Sequence, residues 1–209
     1  MTLTELPIDL KKIIENEKID FSTKAKRKYP LSKTRIGLFF AFVWCGFVAF
    51  MAYAFLGPLL KNEEVNFTSN GTPVTASWDD LSELLVPGLI IGLFSVIGLI
   101  LLFYSVKSLF QKGSYFVGTE TRLIEYNNGK TIITDWEQFS GNVKIESKNN
   151  LGDLEYELRT GKMQSRKNEL AKFVPDIIYI SGIENVYDIE KKCKIRIKEN
   201  DPTPVVLSN

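Results

Sequence analysis

The sequence predicts a helical membrane hairpin followed by a small α+β domain, an antiparallel β-barrel or sandwich capped by a C-terminal helix. Two uncharged apolar stretches, at residues 36–60 and 84–106, are each long enough to cross a bilayer core, which needs about 20 helical residues. Short β-type runs separated by turn residues follow residue 112, and an amphipathic helical pattern covers residues 184–198. The 209 residues leave room for one hairpin and one small domain.

The same features divide the chain into six predicted segments. The expected segments are 1–35 (an amphipathic helix and a basic connector), 36–60 (the first transmembrane helix), 61–83 (an extracytoplasmic loop), 84–106 (the second transmembrane helix), 107–199 (the cytoplasmic sheet domain) and 200–209 (a flexible tail).

The N-terminal segment carries a helical pattern of its own. Leu6, Leu10, Ile13 and Ile14 share one face of a helix predicted over residues 5–18. Because this apolar face is narrow, we expect the helix to pack on the soluble domain. The alternative is an interfacial helix that lies on the membrane.

The distribution of charge predicts the orientation in the membrane. Residues 1–35 contain nine Lys or Arg against five acidic residues, whereas residues 61–83 contain one Lys against five acidic residues. Lys and Arg close to a transmembrane helix favour the cytoplasmic side. The sequence therefore predicts a multi-pass protein with both termini in the cytoplasm and a short extracytoplasmic loop.

Small residues recur at helical spacing in both apolar stretches. Such stripes allow transmembrane helices to approach closely. The expected use is packing of one span on the other, and a stripe left on the opposite face would bind another subunit. The candidate helix-packing residues are Gly37, Ala41, Cys45, Gly88, Gly92 and Gly98.

The residues after 112 predict antiparallel strands and one final helix. Asn128-Gly129 supplies the positive φ angles that a tight hairpin turn requires. Strands are expected at residues 114–117, 122–126, 131–134, 139–147, 154–160 and 176–181. The apolar face of the final helix consists of Val186, Ile189, Cys193 and Ile197.

Three segments resemble the bacterial PH-like (pleckstrin-homology-like) membrane family. Residues 6–21 are similar to its N-terminal lead, an amphipathic helix followed by Gly-Glu-x-Ile-x-aromatic, with Asn16 in place of the glycine. Residues 115–126 are similar to its strand-pair signature, Tyr-x-Val-Thr-(Asn/Asp)-x-Arg-(Leu/Ile), with Gly118 between the valine and the threonine. Residues 182–186 resemble its closing turn. The resemblance implies a PH-like fold in a cytoplasmic, membrane-tethered setting and no particular reaction, and related domains can self-associate.

Composition excludes several kinds of catalytic and metal site. The chain has no His and two Cys, so a triad with a His base and a His-rich or multi-Cys metal site are excluded. A Ser-Lys dyad at residues 165–167 would need a desolvated lysine, whereas this segment is polar. Asp79-Asp80 suits a helix start better than a metal site. We expect no enzyme activity, no catalytic or metal-ligating residue and no cofactor.

Basic residues form two candidate lipid-facing groups, one before the first apolar stretch and one between residues 158 and 173. Basic side chains near an anionic leaflet are each attracted by about 1 kcal/mol. The alternatives are a topology signal for the first group and a solvated loop for the second. The candidate residues are Lys24, Lys26, Arg27, Lys28, Arg159, Lys162, Arg166 and Lys167.

Together these expectations describe a non-catalytic tether, scaffold or regulatory interaction module on the cytoplasmic face of a bacterial plasma (inner) membrane. Its expected partners are membrane lipids and a protein partner or a second copy of the chain, and the near balance of charge after residue 107 argues against nucleic acid. The first alternative is an accessory or assembly subunit of a larger membrane complex. The second is a lipid-regulated enzyme or transporter component, although neither span carries a charge.

The candidate docking aromatics, most of them expected in the core, are Trp136, Phe139, Tyr156 and Tyr179.

Overall fold

The computed structural model describes residues 6–15, 17–69, 71–148, 150–165 and 170–202. The chain forms two compact units: the sheet unit combines Met1–Pro30 with Phe110–Asn209, and the hairpin unit is Leu31–Leu109. Several predicted features lie outside the described residues. They are Asn16 of the family lead, the basic residues Arg166 and Lys167, and residues 203–209 of the tail.

Two helices dominate the hairpin unit, and both are long and apolar enough to cross a membrane. Helix α2 covers Leu31–Leu60 and helix α3 covers Leu85–Leu109. Pro58 lies inside α2, two residues before its last residue. A proline near a helix end removes one backbone hydrogen bond, and the loss of one bond there leaves the last residues helical.

A short β-hairpin connects the two helices where the sequence predicted a loop. Strands β2 (Val65–Ser69) and β3 (Thr72–Ala76) pair antiparallel, and a 3₁₀ turn at Ser82–Leu84 leads into α3. A two-stranded hairpin is marginal in water unless it packs on another element. This one packs on the end of α2, through a buried cluster made of Leu59, Val65, Ala76 and Leu84.

The sheet unit contains a four-stranded antiparallel sheet that joins the two ends of the chain. Its strands are β1 (Ile19–Lys24), β4 (Tyr115–Thr119), β5 (Arg122–Asn127) and β6 (Lys130–Asp135), in that order across the sheet. Strand β1 was not predicted. The predicted turn at Asn128-Gly129 is confirmed, with φ of 48° and 82° at its two residues.

A second antiparallel sheet has three strands and is followed by the final helix. A 3₁₀ turn at Trp136–Gln138 leads into β7 (Phe139–Lys148), β8 (Leu151–Gln164) and β9 (Lys172–Ile183), and then α4 covers Val186–Glu199. The predicted apolar face of α4 is confirmed, because its four residues are all buried in the main core.

The N-terminal helix packs on the sheet unit as expected, although it is shorter than predicted. Helix α1 covers Ile8–Ile14. Its Leu10 and Ile14 form a second core with Val117 and Ile124 on the four-stranded sheet. Neighbouring residues of the same strands, such as Phe116, belong to the main core. The four-stranded sheet is therefore covered on both faces, since strand side chains alternate between them.

Candidate functional site

One face of the helical hairpin is closely packed. Ala41 is fully buried. A Cβ placed on Gly98 would lie 2.9 Å from Cδ1 of Trp44 and 3.1 Å from Sγ of Cys45, and one placed on Gly37 would lie 3.7 Å from Oγ of Ser105. Four of the six candidate helix-packing residues therefore lie where α2 meets α3, and small side chains permit this approach.

The other two candidate helix-packing residues lie on an open face. No described atom comes within 4 Å of a Cβ placed on Gly88 or Gly92. Both glycines line an apolar cavity of about 700 Å³, together with Leu56, Trp78 and several further leucines. The indole N–H of Trp78 donates to the carbonyl of Leu59. The hairpin thus leaves one small-residue stripe without a packing partner among the described residues.

The acidic pair between β3 and α3 shapes a turn. The carboxylate of Asp80 accepts hydrogen bonds from the amide of Ser82 at 3.0 Å and from its hydroxyl at 2.6 Å. These bonds lower the pKa of the Asp80 carboxyl. A carboxylate bonded to Ser82, the first residue of the 3₁₀ turn, agrees with the helix-start interpretation of Asp79-Asp80.

The first basic group lies in β1 and in the connector after it. Nζ of Lys26 lies 3.2 Å from a carboxylate oxygen of Glu184. Lys24 and Lys28 lie over the rings of Tyr115 and Tyr29, at 4.8 and 5.2 Å from their centroids.

Arg27 differs from the lysines of this group because it is partly buried. Its Nη2 lies 3.0 Å from Oδ1 of Asp153, and its amide donates to the carbonyl of Ser181. Arg27 therefore joins the end of β1 to β8 and β9.

Arg159 and Lys162, the two described residues of the second basic group, lie on β8 rather than in a loop. Arg159 donates to the carbonyl of Phe139 and ion-pairs with Asp201 at 2.7 Å. Lys162 is exposed, and it lies on the part of β8 that extends past β7 and pairs with β9. Sequence reasoning missed the apolar residues beside it, Met163 and Phe173, although the alternation around them is a strand signal.

Two partly buried ion pairs attach the N-terminal segment to the rest of the sheet unit. Arg196 of α4 donates to both carboxylate oxygens of Asp20, at 2.6 and 2.8 Å, and these bonds lower the pKa of Asp20. Arg122 of β5 donates to the carboxylate of Glu17 and lowers the pKa of that carboxyl in the same way. These contacts hold β1 at the sheet edge and against α4.

Acid is expected to weaken this attachment. A carboxyl whose pKa is lowered by folding stabilises the folded state above its unfolded pKa, and the contribution is lost as pH falls through the folded pKa. The free energy of unfolding should therefore fall below about pH 4. Asp20→Asn should make this fall smaller by roughly 1–2 kcal/mol. Asp188→Asn, which alters an exposed i,i+4 pair with Lys192, is the matched control. Equal urea midpoints for Asp20→Asn and the unchanged protein across this pH range would contradict the expectation.

The aromatic residues proposed for docking are mostly core. Trp136, Phe139 and Tyr156 are at most 2% exposed, and the ring of Tyr179 packs edge-on against Tyr29. Cys193 is fully buried beside Tyr156, and burial raises the pKa of its thiol to about 12. Such a thiol stays protonated at neutral pH and is a poor nucleophile.

Within the described ranges, no group of three or more His, Cys, Asp or Glu side chains could hold a metal ion. No protein-family model, curated protein or solved structure matches this chain. The PH-like resemblance therefore stays a prediction.

Proposed function

We propose that this chain is a membrane-anchored, non-catalytic interaction module, a tether or scaffold at the cytoplasmic face of a bacterial plasma membrane. The observation that carries the proposal is the exposure of α2 and α3. Only 11% of the residues in the most apolar window of each helix are buried. A helix in the core of a soluble protein would be mostly buried, whereas a membrane span presents its apolar side chains to lipid.

The pairing of β1 with β4 supports a hairpin topology. Strand β1 ends at Lys24, before α2, and β4 begins at Tyr115, after α3, yet the two strands are hydrogen-bonded neighbours. If α2 and α3 both cross the bilayer, the two strands can pair only when the chain returns to its starting side. The basic flanks of the spans favour the cytoplasm for that side.

The order of elements supports a PH-like sheet unit. Four antiparallel strands, three antiparallel strands and one C-terminal helix follow one another. In this proposal the membrane hairpin is inserted between the first two strands of the four-stranded sheet. Charged groups such as Asp20 and Arg196 contact each other across elements, which supports a structural use of these groups rather than a catalytic one.

Cysteine labelling in intact bacterial cells tests the anchor. The Thr68→Cys variant, altered in β2, should react with a membrane-impermeant maleimide in intact cells, because β2 lies between the two spans. The Lys130→Cys variant, altered at the exposed first residue of β6, should react only after permeabilisation. Labelling of the Thr68→Cys variant only after permeabilisation, or of the Lys130→Cys variant before it, would overturn the proposed topology.

The second candidate function is an accessory or assembly subunit of a larger membrane complex. The open stripe formed by Gly88 and Gly92 favours it, since small-residue stripes let another helix approach closely in lipid. The cavity beside them is lined by apolar residues, which suits contact with a partner helix.

Substitution of Gly92 tests this second candidate. Gly92→Ile should lower the particle mass of the full chain purified from membranes in mild detergent, because its side chain would fill the apolar cavity that a partner helix would contact. Gly46→Ile is the matched control, since Gly46 also meets no described atom within 4 Å but does not line the cavity. Equal masses for both variants and the unchanged protein would argue against assembly through this face.

A further inference from the structure

Strands β8 and β9 extend beyond the three-stranded sheet as a two-stranded arm. Strand β7 begins at Phe139, which pairs with Leu158 of β8. Past that point, residues 161–164 of β8 pair with residues 172–175 of β9. We call these eight residues, with the neighbouring Leu170, the β8–β9 arm.

The register gives the arm two different faces. Met163 lies directly opposite Phe173, and on the other face Lys162 lies opposite Val174 while Gln164 lies opposite Lys172. Cross-strand partners project to the same side of a sheet, and successive residues alternate. A Cβ placed on Gly161 would lie 2.7 Å from Cζ of Phe173, so the phenyl ring covers this glycine.

The apolar residues of the arm are exposed. Met163 is 64% exposed, Phe173 47% and Leu170 96%. A neighbouring group of exposed apolar side chains marks a surface that contacts another molecule or a membrane.

The charge of the segment selects an anionic partner. Residues 159–173 contain five Lys or Arg and one acidic residue. Lys162 and Lys172 form no ion pair with residues that the structure describes. Lysine is depleted in the centres of protein–protein interfaces. Elements that lie at the headgroup boundary of a bilayer typically carry Lys on one face and Phe, Leu or Met on the other face.

We propose that the β8–β9 arm docks on an anionic lipid surface, with Met163 and Phe173 at the headgroup boundary. Lys162 and Lys172 project from the opposite face. Their ammonium groups can still act on the surface, because lysine side chains snorkel and surface potentials extend about 8–10 Å at physiological salt. The proposal rests on the proposed membrane anchor, which places such a surface within reach of the sheet unit.

Fluorescence quenching by lipid tests the docking. Met163→Cys in the full chain would carry an environment-sensitive dye, and the protein would be reconstituted into vesicles that contain phosphatidylserine and brominated lipid. We expect blue-shifted emission and strong quenching of this dye. Ile132→Cys, on the exposed side of β6 (58% exposed), is the matched control and should show neither. Labelling of the unsubstituted chain corrects for dye on Cys45 or Cys193.

Charge removal tests the contribution of the lysines. Lys162→Gln with Lys172→Gln should lower the ratio of docked to free arm by about 25-fold, or fivefold for each lysine. Quenching should then fall to the level seen in vesicles of phosphatidylcholine alone. Lys191→Gln with Lys194→Gln on the exposed side of α4 is the matched control and should leave the quenching unchanged.

Three results would overturn the proposal. Equal quenching of the dye in the Met163→Cys and Ile132→Cys variants would remove the arm as the site of contact. A blue shift without quenching by brominated lipid would mean that a second copy of the chain covers the arm. Quenching that does not depend on the charge of the lipid would reject the role of the lysines. Flotation of the protein with vesicles after an alkaline wash separates these outcomes from a failure of the membrane anchor itself.

Discussion

Replacing Arg27 with alanine is expected to lower the free energy of unfolding of the sheet unit by about 2–4 kcal/mol, because removing one partner of a largely desolvated ion pair leaves an uncompensated charge. The side chains of Arg27 and Asp153 are 23% and 9% exposed. Oδ1 of Asp153 also accepts the amide N–H of Gly182 at 2.6 Å. Without the guanidinium, the carboxylate would keep this backbone donor and lose its counter-charge.

Labelling of Cys193 in urea measures this loss, because the thiol is fully buried in the core of the sheet unit. Peptide mass spectrometry separates it from Cys45. Arg27→Ala should expose Cys193 at lower urea, and Arg27→Ala with Asp153→Asn should recover part of the loss. Lys26→Ala is the matched control. Its ion pair with Glu184 has both side chains more than half exposed, so the expected change is within about 1 kcal/mol.

The urea midpoint of Arg27→Ala, together with its binding to anionic vesicles, separates two uses of Arg27. A structural ion pair predicts a lower urea midpoint with unchanged lipid binding, whereas a lipid-facing charge predicts weaker binding to anionic vesicles with an unchanged midpoint. The geometry favours the first use, since Arg27 also bridges to Ser181 of β9 through its backbone. If the urea midpoint is unchanged and binding to anionic vesicles is weaker, Arg27 belongs with the lipid-facing residues.

Local patterns were sufficient to predict the elements that depend on near neighbours. The apolar face of α4 follows from residues spaced three and four apart, and the β5–β6 turn follows from Asn128-Gly129. The two long helices follow from uninterrupted apolar stretches. Each of these signals lies within a single segment of the chain and needs no knowledge of what packs against it.

Strand β1 could not be predicted from such patterns. It is six residues long, its Asp20 interrupts the apolar character, and its partner β4 follows only after the whole hairpin unit. The outer part of β8 falls between the strands predicted at residues 154–160 and 176–181, and its strand geometry depends on pairing with β9. The open stripe at Gly88 and Gly92 had the same sequence signal as the packed one at Gly37 and Ala41. Tertiary context decides all of these features.

Replacing Gly118 with valine is expected to destabilise the sheet unit by about 3 kcal/mol, at the upper end of typical overpacking effects. Gly118 of β4 pairs with Phe21 of β1. Any Cβ at this position would overlap the Phe21 ring, which is 7% exposed in the main core. The ring can avoid the clash only by leaving the core or by separating β1 from β4. The glycine that departs from the PH-like strand motif therefore has a physical reason in this chain.

A double-variant cycle tests this reason directly. Phe21→Ala should destabilise the unit by about 3 kcal/mol on its own, since it leaves a cavity in the core. Gly118→Val should then cost much less in the Phe21→Ala background, because neighbouring substitutions that relieve the same clash are not additive. Gly88→Ala, whose Cβ meets no described atom within 4 Å, should leave the Cys193 labelling midpoint unchanged. Additive effects would mean that Phe21 does not rest on Gly118. The place of β1 beside β4, which supports a same-side hairpin topology, would then depend on the backbone pairing of the two strands and not on the Phe21 ring.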